Sequence, residues 1–472
     1  MNKKLLPFNK GHIHFIGIGG IGISALARYF LSLGYKISGS DSNSSELTDE
    51  LKKDGIIIYI GHSPRNISKS VQQVFYSAAI KQDIKELVAS KKIGILTKSY
   101  AEGLGDLTRQ YKTLAVAGTC GKSTTTAMLS LVLIKAGFDP TVIIGTKLKE
   151  FIPPASGSNF KKGKSDYLII EADEHNAAFL NHSPFAAIIT NIERDHLDFY
   201  KNLNNIKNSF LKFINNIQVG GILIINNDDK NLKKLKNDIK KISLKNKLKV
   251  YWCGIKNNEL VKAKLKKVLK VPGEHNISNS LEVYELAKAL DIQEKIILEA
   301  LGEYNGSWRR MELKGELKTK STKNSGLKTL IYDDYAHHPS KIKAALAGFR
   351  EKYPNSKIIC VFQPHQIDRL KKLFKDFTNS FDEADYLILL DIFKVKGRDN
   401  KLSQNINSEK LSESIKKRKI SPKVLYLKNS ENLKKTIESI ITLSLIPYPL
   451  NPIIIVMMGA GDIYKYTDKL IK

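Results

Sequence analysis

The chain has 472 residues, a formal net charge of +29 and a hydrophobic share of 42%. This length suggests about three domains, each able to bury a core. The three cysteines, Cys120, Cys253 and Cys360, share no metal-type spacing and no even disulfide framework, which excludes a disulfide-rich scaffold. We therefore expect a protein of a reducing compartment, the cytoplasm.

The positive charge allows two interpretations. It could mark a nucleic-acid or membrane partner, or it could come from lysines spread over solvated surface, as in the segment 233–249. Because no compact cluster of arginine and aromatic residues stands out, we expect no nucleic-acid partner. The first apolar run contains several glycines and Arg28 and no small-residue cleavage site, so we expect no signal peptide and no membrane insertion.

The first region of the chain, from His12 to about Leu107, alternates short apolar runs with helical patterns. Such alternation predicts a parallel sheet with crossover helices. The predicted strands are 13–16, 35–39 and 71–76, and the predicted helix is 24–33.

A second region begins near Tyr111 and a third near Trp308. In the second we predict strands at 113–117, 167–170, 186–190 and 221–225, with helices at 124–136 and 276–290. In the third we predict strands at 329–332, 357–362, 386–390 and 453–457, helices at 340–352 and 370–381, and a loop or hairpin tip at 314–328. The predicted fold class is α/β, with three domains at 1–108, 109–307 and 308–472, each a mainly parallel sheet flanked by helices.

A glycine-rich loop at 17–22, here called the Gly17 loop, follows the first strand and opens the first helix. It matches G-x-G-x-x-G and contains Gly17, Gly19, Gly20 and Gly22. Glycines there let main-chain N–H groups approach a pyrophosphate at the positive end of a helix. Asp41, at the end of the second strand, is placed to accept a hydrogen bond from a ribose hydroxyl. The pattern predicts a site for a nucleotide or a nucleotide-sugar diphosphate, and a merely tight turn is the alternative.

A second loop, here called the Lys122 loop, also lies between a strand and a helix. It consists of Gly118, Thr119, Cys120, Gly121, Lys122, Ser123 and Thr124. Its amides can surround phosphates, Lys122 can neutralise their charge, and the Ser123 hydroxyl can bind Mg²⁺. Val116 stands where the full Walker A pattern has another glycine, so this is a shortened variant.

Charged residues follow several other strands. Glu171 to Glu174 ends one strand of the second region, and Thr190 to Asp198 ends the next strand along the chain. Metals and nucleotides gather at such carboxyl ends in open α/β sheets. In the third region the segments 333–339 and 363–365, with Arg309, Arg310 and Arg369, indicate a cationic site for carboxylates and phosphates.

Taken in order, these motifs resemble the Mur ligase family of peptidoglycan synthesis, nearly end to end from His12 to Asp462. The segments that carry the resemblance are 15–20, 117–124, 171–174, 191–196, 275–276, 333–339, 361–365 and 459–463. Within the family, the pattern is most similar to the ligases that add L-alanine to UDP-N-acetylmuramate.

The resemblance implies a Rossmann-like N-terminal domain for the UDP-substrate, a central P-loop ATPase domain and a Rossmann-like C-terminal domain that presents the amino acid. The implied cofactors are ATP and Mg²⁺, and the implied substrates are UDP-N-acetylmuramate and L-alanine. In the implied reaction, the muramate carboxylate takes the γ-phosphoryl group of ATP, and the amine then attacks the acyl phosphate. We expect a monomer or a weak homodimer.

The resemblance also assigns roles by position. The catalytic residues would be Lys122, His196, His338 and Arg369. ATP would contact the Lys122 loop together with Asn279, Arg310 and Asp333. Ser123 and Glu171 would hold one Mg²⁺, and His196 would help to hold a second metal ion. The UDP-substrate would meet Gly17, Gly19, Gly20, Gly22, Asp41, His62 and Ser77. The amino acid would be bound by His365 and Arg369.

The chain departs from the family pattern at several positions. Cys120 and Ser123 stand where the ATP loop normally has His and Thr, and Gln366 replaces the Arg of the usual Gln-Pro-His-Arg. The segment 393–398 also differs from the usual one. Phe210 lies about where other Mur ligases carry a carbamoylated Lys, which argues against the diaminopimelate and D-glutamate ligases.

Four alternatives remain open. The first is the related recycling ligase that attaches a tripeptide to UDP-N-acetylmuramate, and His365 argues against it. The second is the same ligase with a preference for Gly or L-Ser, for which Gln366 is the reason. The third is an NAD(P)-dependent oxidoreductase that uses the Gly17 loop, which leaves Lys122 unexplained. The fourth is a nucleic-acid-binding protein with a nucleotide switch.

Overall fold

The computed structural model describes residues 10–151, 157–318, 327–394, 406–444 and 451–471. These residues form three sheets and divide into two compact units. The second unit contains Asp195–Lys201, Leu269–Ile277 and the chain from Tyr304 onward, and the first unit contains the rest. In the described ranges, no helix is both long enough and apolar enough to span a bilayer.

The first sheet has five parallel strands and lies in the first unit. Its strands are β1 (His12–Ile16), β2 (Lys36–Asp41), β3 (Ile57–Ile60), β4 (Val71–Tyr76) and β5 (Leu96–Ser99). Their order is β3-β2-β1-β4-β5, so the order reverses beside β1. The accompanying helices are α1 (Ile21–Ser32), α2 (Glu46–Lys53), α3 (Lys85–Lys92) and α4 (Tyr100–Thr108). The predicted parallel sheet of this region is confirmed.

The second sheet has seven strands and also lies in the first unit. Its strands are β6 (Lys112–Ala117), β7 (Thr141–Leu148), β8 (Ser158–Lys161), β9 (Tyr167–Ala172), β10 (Ala186–Ile189), β11 (Ile222–Asn226) and β12 (Lys249–Cys253). The order is β12-β11-β10-β6-β9-β7-β8, and within residues 112–151 and 157–253 only β8 is antiparallel to its neighbour. β6 and β10 are buried almost throughout, as parallel strands covered on both faces must be.

The described residues of the same stretch of chain also form helices. They are α5 (Lys122–Lys135), α6 (Leu197–Tyr200), α7 (Leu203–Asn215), α8 (Lys230–Lys234), α9 (Lys236–Asn246), α10 (Glu259–Val268), α11 (Glu274–Ala289) and α12 (Glu294–Glu303). Short 3₁₀ segments occur at Pro64–Asn66, His175–Asn181, Ile255–Asn257 and, further along the chain, Ser430–Asn432.

The third sheet lies in the second unit. Its strands are β13 (Glu312–Glu316), β14 (Thr329–Asp334), β15 (Ile358–Phe362), β16 (Tyr386–Leu390), β17 (Lys423–Leu427) and β18 (Ile453–Met458). The order is β13-β14-β18-β15-β16-β17, and among the strands that the structure describes here only β13 is antiparallel to its neighbour. The helices are α13 (Pro339–Lys352), α14 (Ile367–Lys372), α15 (Phe374–Thr378), α16 (Ser408–Lys416), α17 (Leu433–Ser444) and α18 (Tyr464–Ile471).

Two sequence predictions for this unit need correction. The helix predicted at 370–381 is interrupted and ends early: the chain leaves helical geometry at Leu373 (φ −116°, ψ 21°), and the two short helices α14 and α15 end at Lys372 and Thr378. Leu370, Leu373 and Phe377, on both sides of the break, belong to one core cluster. The segment 314–328 does belong to a hairpin, but Lys314 lies inside β13 rather than in the tip, and 319–326 lie outside the described residues.

Candidate functional site

The Gly17 loop leaves β1 at the point where the strand order of the first sheet reverses. The main-chain N–H groups of Gly17 and Ile18 donate to Ser40 O at 2.7 and 3.0 Å. Gly19 N donates to Asp41 Oδ2 at 2.9 Å, and a Cβ on Gly19 would lie only 2.8 Å from that oxygen. The glycine is therefore required by the close approach of Asp41, which shapes the loop.

The other residues predicted to meet the UDP-substrate lie beside the same loop. Ser77 N donates to Ile16 O at 3.0 Å, directly before Gly17. His62 Nδ1 lies 3.0 Å from Ser40 Oγ, on the strand that supports the loop. Helix α1 begins after Gly20 without a side-chain cap, so the N–H groups of its first turn face the loop. The structure thus brings together every residue of this predicted set, including Gly22 inside α1.

The Lys122 loop leaves β6, where the order of the second sheet reverses. Gly118 has φ +146°, and a Cβ there would lie 1.9 Å from Thr190 Oγ1. Asn191 supports the loop from β10: it accepts from Cys120 N at 2.8 Å and donates to Cys120 O at 3.0 Å. Thr119 N donates to Asn191 O at 3.1 Å. Residues just after β10 therefore fix the loop that precedes α5.

Asn279 and Thr124 complete the predicted ATP set of the first unit. A Cβ on Gly121 would lie 2.5 Å from Asn279 Oδ1, so this amide borders the loop directly. Thr124 lies in the first turn of α5 and is partly exposed. The start of α5 has no side-chain cap, and its N–H groups offer an anion site.

Lys122 is surrounded by carboxylates that follow β9. Its Nζ lies 2.6 Å from Glu174 Oε2 and 3.6 Å from Asp173 Oδ1, and it donates to Gly118 O at 2.8 Å. Burial would lower the pKa of Lys122, but the charges of Glu174, Asp173 and Glu171 outweigh it and raise the pKa. The lysine is therefore a permanently charged group held at the loop.

Ser123 and Glu171 form a small oxygen cluster suited to Mg²⁺. Ser123 Oγ donates to Glu171 Oε1 at 3.0 Å, and Glu171 Oε2 accepts from Gly145 N at 3.0 Å. Among the described residues, no group of three or more His, Cys, Asp or Glu side chains could hold a metal. A hydroxyl and one carboxylate suit a hard cation that keeps several waters and phosphate oxygens as ligands. The cluster therefore fits Mg²⁺ bound together with a nucleotide.

In the second unit, the predicted residue Arg369 forms a buried ion pair with Asp195, which was not among the predicted site residues, and it also contacts the predicted residue His365. Arg369 donates from Nη2 and Nε to Asp195 Oδ1 at 3.2 and 3.4 Å, and its Nη1 lies 3.3 Å from His365 Nδ1. Burial would raise the pKa of Asp195, but Arg369, His196, Lys341 and His338 hold it well below its usual range. Three of the predicted catalytic residues thus act on one carboxylate.

His196, the predicted second metal ligand, has a left-handed backbone (φ 50°) before the short helix α6. Its N–H donates to the side chain of Asp195 at 2.8 Å. His338 occupies the N-cap position of α13 without a side-chain capping bond, and its Nδ1 lies 2.8 Å from Ser340 Oγ. The predicted metal set is divided between the units, because Ser123 and Glu171 belong to the first and His196 to the second.

The predicted nucleotide contacts of the second unit lie on and beside β14. Burial raises the pKa of Asp333 to about 7, and its carboxylate accepts a hydrogen bond from Thr467. The Arg310 guanidinium lies 5.5 Å from the centre of the Tyr335 ring. Its neighbour Arg309, which the sequence placed in the cationic site, is instead buried and donates to Gly459 O and Gly461 O at 2.5 and 3.1 Å.

His365, which is predicted to bind the amino acid, is held in place by contacts with the loop that contains Phe393. Its ring stacks on Phe393 at 5.5 Å, and Gln366 N donates to Phe393 O at 3.1 Å. Gln366, which departs from the family pattern, has φ +71°, a strained backbone for a residue with a side chain. Of the unusual segment 393–398, residues 395–398 lie outside the described residues.

Sequence reasoning missed three partners of predicted residues: Glu174 for Lys122, Asn191 for the Lys122 loop, and Asp195 for Arg369. Each lies inside an acidic or polar segment that the sequence had marked, so its neighbourhood was predicted and its partner was not. The sequence showed only that acidic and polar residues are concentrated after these strands. Such a concentration does not specify which side chains pair with each other.

Three models of the Mur ligase family match the chain. They are the Mur ligase family catalytic domain at residues 12–112, the Mur ligase middle domain at 116–287 and the Mur ligase, glutamate ligase domain at 309–461. Together they span most of the chain.

The chain is also similar to individual Mur ligases, both in sequence and in structure. The chain is 39% identical to a UDP-N-acetylmuramate–L-alanine ligase of Clostridium botulinum, with 98% of this chain and 97% of the relative covered. It is 38% identical to the ligase of that name from Clostridium acetobutylicum, with 96% of each covered. The crystal structure of a UDP-N-acetylmuramate-alanine ligase from Thermotoga maritima matches with a TM-score of 0.75 and 26% identity over 98% of both chains. A murein peptide ligase from Psychrobacter arcticus shares the fold (TM-score 0.67, 22% identity, 98% of both chains).

Proposed function

This chain belongs to the Mur ligase family and is an ATP-dependent ligase, and we propose that it joins L-alanine to the lactyl carboxylate of UDP-N-acetylmuramate. The observation that carries the proposal is the 39% identity to a ligase of this name over 98% of the chain. The product is a peptidoglycan precursor, so the activity serves cell-wall biogenesis, cell shape and cell division.

ATP supplies the phosphoryl group that activates the substrate carboxylate as an acyl phosphate. Such a transfer needs positioning and electrostatic stabilisation more than covalent catalysis. Lys122 carries a positive charge at the loop. Its ammonium group is held in place by hydrogen bonds to Glu174 Oε2 and to Gly118 O. Ser123 and Glu171 are the oxygen ligands that would hold Mg²⁺ beside the phosphates. His196 would hold a second metal ion.

The amino acid needs a cation for its carboxylate and an oriented amine. Arg369 offers a guanidinium whose orientation is fixed by Asp195 and His365. We assign the carboxylate of L-alanine to Arg369 and His365, and we place His338 near the reacting groups. Because Gln366 lacks the second guanidinium of the family pattern, we expect weaker discrimination between L-alanine, glycine and L-serine than two cations would give.

The decisive experiment is a phosphate-release assay with UDP-N-acetylmuramate, Mg²⁺ and ATP. L-alanine, glycine, L-serine and the tripeptide of the recycling ligase are supplied in separate reactions, and the products are identified by mass. We expect phosphate release and an L-alanyl product, with glycine and L-serine slower. Turnover with the tripeptide alone would identify the recycling activity instead, and no phosphate release with any acceptor would overturn the proposal.

Further proposals concern the whole protein. We propose domain boundaries at 108/109 and 307/308, a monomer or weak homodimer, and a cytoplasmic location, where ATP and the UDP-substrate are available. We also propose that the charge of +29 reflects solvated lysines and not a nucleic-acid partner. Light scattering during size-exclusion chromatography tests the oligomeric state, and salt-sensitive retention on immobilised DNA or RNA would contradict the last proposal.

A further inference from the structure

One face of the first sheet carries a row of buried polar side chains instead of apolar ones. His12 and His14 alternate along β1, and Ser38 and Ser40 alternate along β2, so all four point to the same face. Glu86 of α3 lies over this face and is completely buried. Buried polar groups are costly unless each is hydrogen-bonded, so the row demands a complete account of its donors and acceptors.

The hydrogen bonds form one continuous chain. His12 Nδ1 lies 2.9 Å from Ser70 Oγ, and His12 Nε2 lies 2.8 Å from Ser38 Oγ. Ser38 Oγ lies 2.7 Å from His14 Nδ1, and His14 Nε2 lies 3.0 Å from Glu86 Oε1. The chain thus runs from the start of β1 to the carboxylate of α3.

Glu86 is the last residue of this series of hydrogen bonds and also contacts the residues beside the Gly17 loop. Its Oε2 accepts from Ser40 Oγ at 2.6 Å and lies 3.0 Å from His62 Nδ1. The main-chain oxygen of Ser40 accepts from the N–H groups of Gly17 and Ile18, so Ser40 and His62 border the Gly17 loop. Glu86 therefore connects the sheet interior with the residues that face the UDP-substrate in the proposed function.

The protonation pattern follows from counting donors. Burial would raise the pKa of Glu86, but hydrogen bonds from His14 and Ser40 outweigh it and lower the pKa, so the carboxylate is ionised and only accepts. His14 must then donate from Nε2 and accept at Nδ1 from Ser38. His12 donates from Nε2 to Ser38 and accepts at Nδ1 from Ser70. Every donor finds an acceptor when all of these imidazoles are neutral.

His62 is fixed by the same rule. An ionised Glu86 requires the proton of His62 on Nδ1, which leaves a lone pair on Nε2. Within the described part of the chain, Nε2 makes no hydrogen bond, and the side chain keeps 14% of its surface exposed. A histidine held in one tautomer and partly exposed beside a nucleotide loop presents a hydrogen-bond acceptor of fixed direction.

We propose that Glu86 is a positioning residue that holds His62 in its Nδ1–H tautomer, so that Nε2 accepts a hydrogen bond from a hydroxyl or imide N–H of the uridine moiety. This proposal rests on the proposed function, because it assumes a UDP-substrate at the Gly17 loop. Glu86 itself acts through His62 and does not touch the ligand.

The direct test is Glu86→Gln. An amide of the same shape has one donating and one accepting end, so it cannot accept from His14, Ser40 and His62 together. We expect the KM for UDP-N-acetylmuramate to rise about tenfold, as for one lost hydrogen bond to a ligand. The kcat at saturating substrate and the KM values for ATP and L-alanine should stay within about twofold, because their residues do not contact this network.

A double-mutant cycle separates positioning from a general structural effect. His62→Ala should raise the same KM, and Glu86→Gln should add little in the His62→Ala background. Full additivity of the two effects would overturn the proposal. Glu50→Gln is the matched control: Glu50 is also a buried carboxylate of the first unit, paired with Lys147 at 2.7 Å. It should lower the thermal midpoint and leave the KM for the UDP-substrate unchanged.

Imidazole ¹⁵N–¹H spectra of the wild-type protein provide a readout that needs no variant. We expect His62 protonated at Nδ1 in the free protein, and protonation at Nε2 alone would overturn the proposal even where Glu86→Gln fails to fold. The proposed ligase function and the proposed role of Glu86 are refuted by different results. Wild-type protein without ligase activity on UDP-N-acetylmuramate refutes the proposed function, whereas an active wild type with an unaffected Glu86→Gln variant refutes only the role of Glu86.

Discussion

The Gly17 loop and the Lys122 loop share one geometry: each leaves a buried parallel strand where the strand order reverses, and each opens a helix without a side-chain cap. They differ in the charged side chains around them. Asp41 is the carboxylate that hydrogen-bonds to the Gly17 loop. The Lys122 loop has an ammonium group within 4 Å of two carboxylates, and a hydroxyl bound to a third.

This difference indicates how one backbone arrangement can serve two purposes. Main-chain N–H groups at a helix start are sufficient to bind a diphosphate that does not react. Transfer of a phosphoryl group also needs charge that stabilises the transition state, together with a cation site. The comparison predicts that variants of the two loops affect different substrates and differ in the size of their effects.

The largest effect is expected from Lys122→Ala. Loss of the ammonium should reduce kcat by at least about a thousandfold, because electrostatic stabilisation of the phosphoryl group is removed. Binding of UDP-N-acetylmuramate, measured by calorimetry without ATP, should stay nearly unchanged. Lys135→Ala on the same helix is the control, because Lys135 pairs with Glu303 on the surface. Loss of UDP-substrate binding in Lys122→Ala would contradict the separation of the two loops.

Gly118→Ala should have the next largest effect. The new Cβ would collide with Thr190 Oγ1 at a backbone angle that only glycine adopts freely. Collision and strain together cost on the order of 2 kcal/mol or more, so we expect the KM for ATP to rise at least about tenfold. Gly137→Ala, at a positive φ with open space, measures strain alone. Equal kinetics for both variants would show that the collision is not the cause.

Glu171→Gln tests the proposed Mg²⁺ site that Glu171 forms with Ser123 of the Lys122 loop. The amide keeps the shape of the side chain but weakens an oxygen ligand for Mg²⁺. The Mg²⁺ concentration for half-maximal activity should rise about tenfold, while kcat recovers at high Mg²⁺. Titration of activity with Mg²⁺ measures the change. A variant with an unchanged Mg²⁺ requirement would remove Glu171 from the metal site.

The smallest effect is expected from Asp41→Asn in the Gly17 loop. Asparagine can still accept from Gly19 N, so the loop keeps its shape. The bond to a ribose hydroxyl loses its charge assistance, and the KM for UDP-N-acetylmuramate should rise only about threefold. Steady-state kinetics with each substrate varied in turn measure this effect. If the KM for ATP changed instead, the assignment of the two loops would be reversed.

The sequence predicted eleven of the eighteen strands in the described ranges and missed β3, β5, β7, β8, β12, β13 and β17. Apolar runs predicted the central strands to within one or two residues, and the strand at 71–76 agrees with β4 at both ends. The two glycine loops lie at the strand-order reversals of their sheets, where the carboxyl ends of parallel strands leave a crevice. Hydrophobic periodicity did not reveal the break at Leu373, because Leu370, Leu373 and Phe377 keep a helical spacing across it.

The partners inside the site were beyond the sequence. Lys122 and Glu174 lie 52 positions apart, His14 and Glu86 lie 72 apart, and Arg369 and Asp195 lie 174 apart. No local pattern selects one carboxylate among several at such distances. Arg309 illustrates the opposite error: as a charged residue beside Arg310 it was assigned to ligand binding, yet it is buried on main-chain carbonyls.

By itself, the sequence determined the fold class, the two glycine loops and the chemistry available at each, because strand and helix periods and loop composition are local properties of the chain. Only the tertiary structure decided how that chemistry is arranged: which carboxylate holds Lys122, which one fixes Arg369, and which one sets the tautomer of His62. The physical reason is that these are buried electrostatic and hydrogen-bonding choices, and their energies depend on desolvation and distance, which exist only after the sheets have assembled.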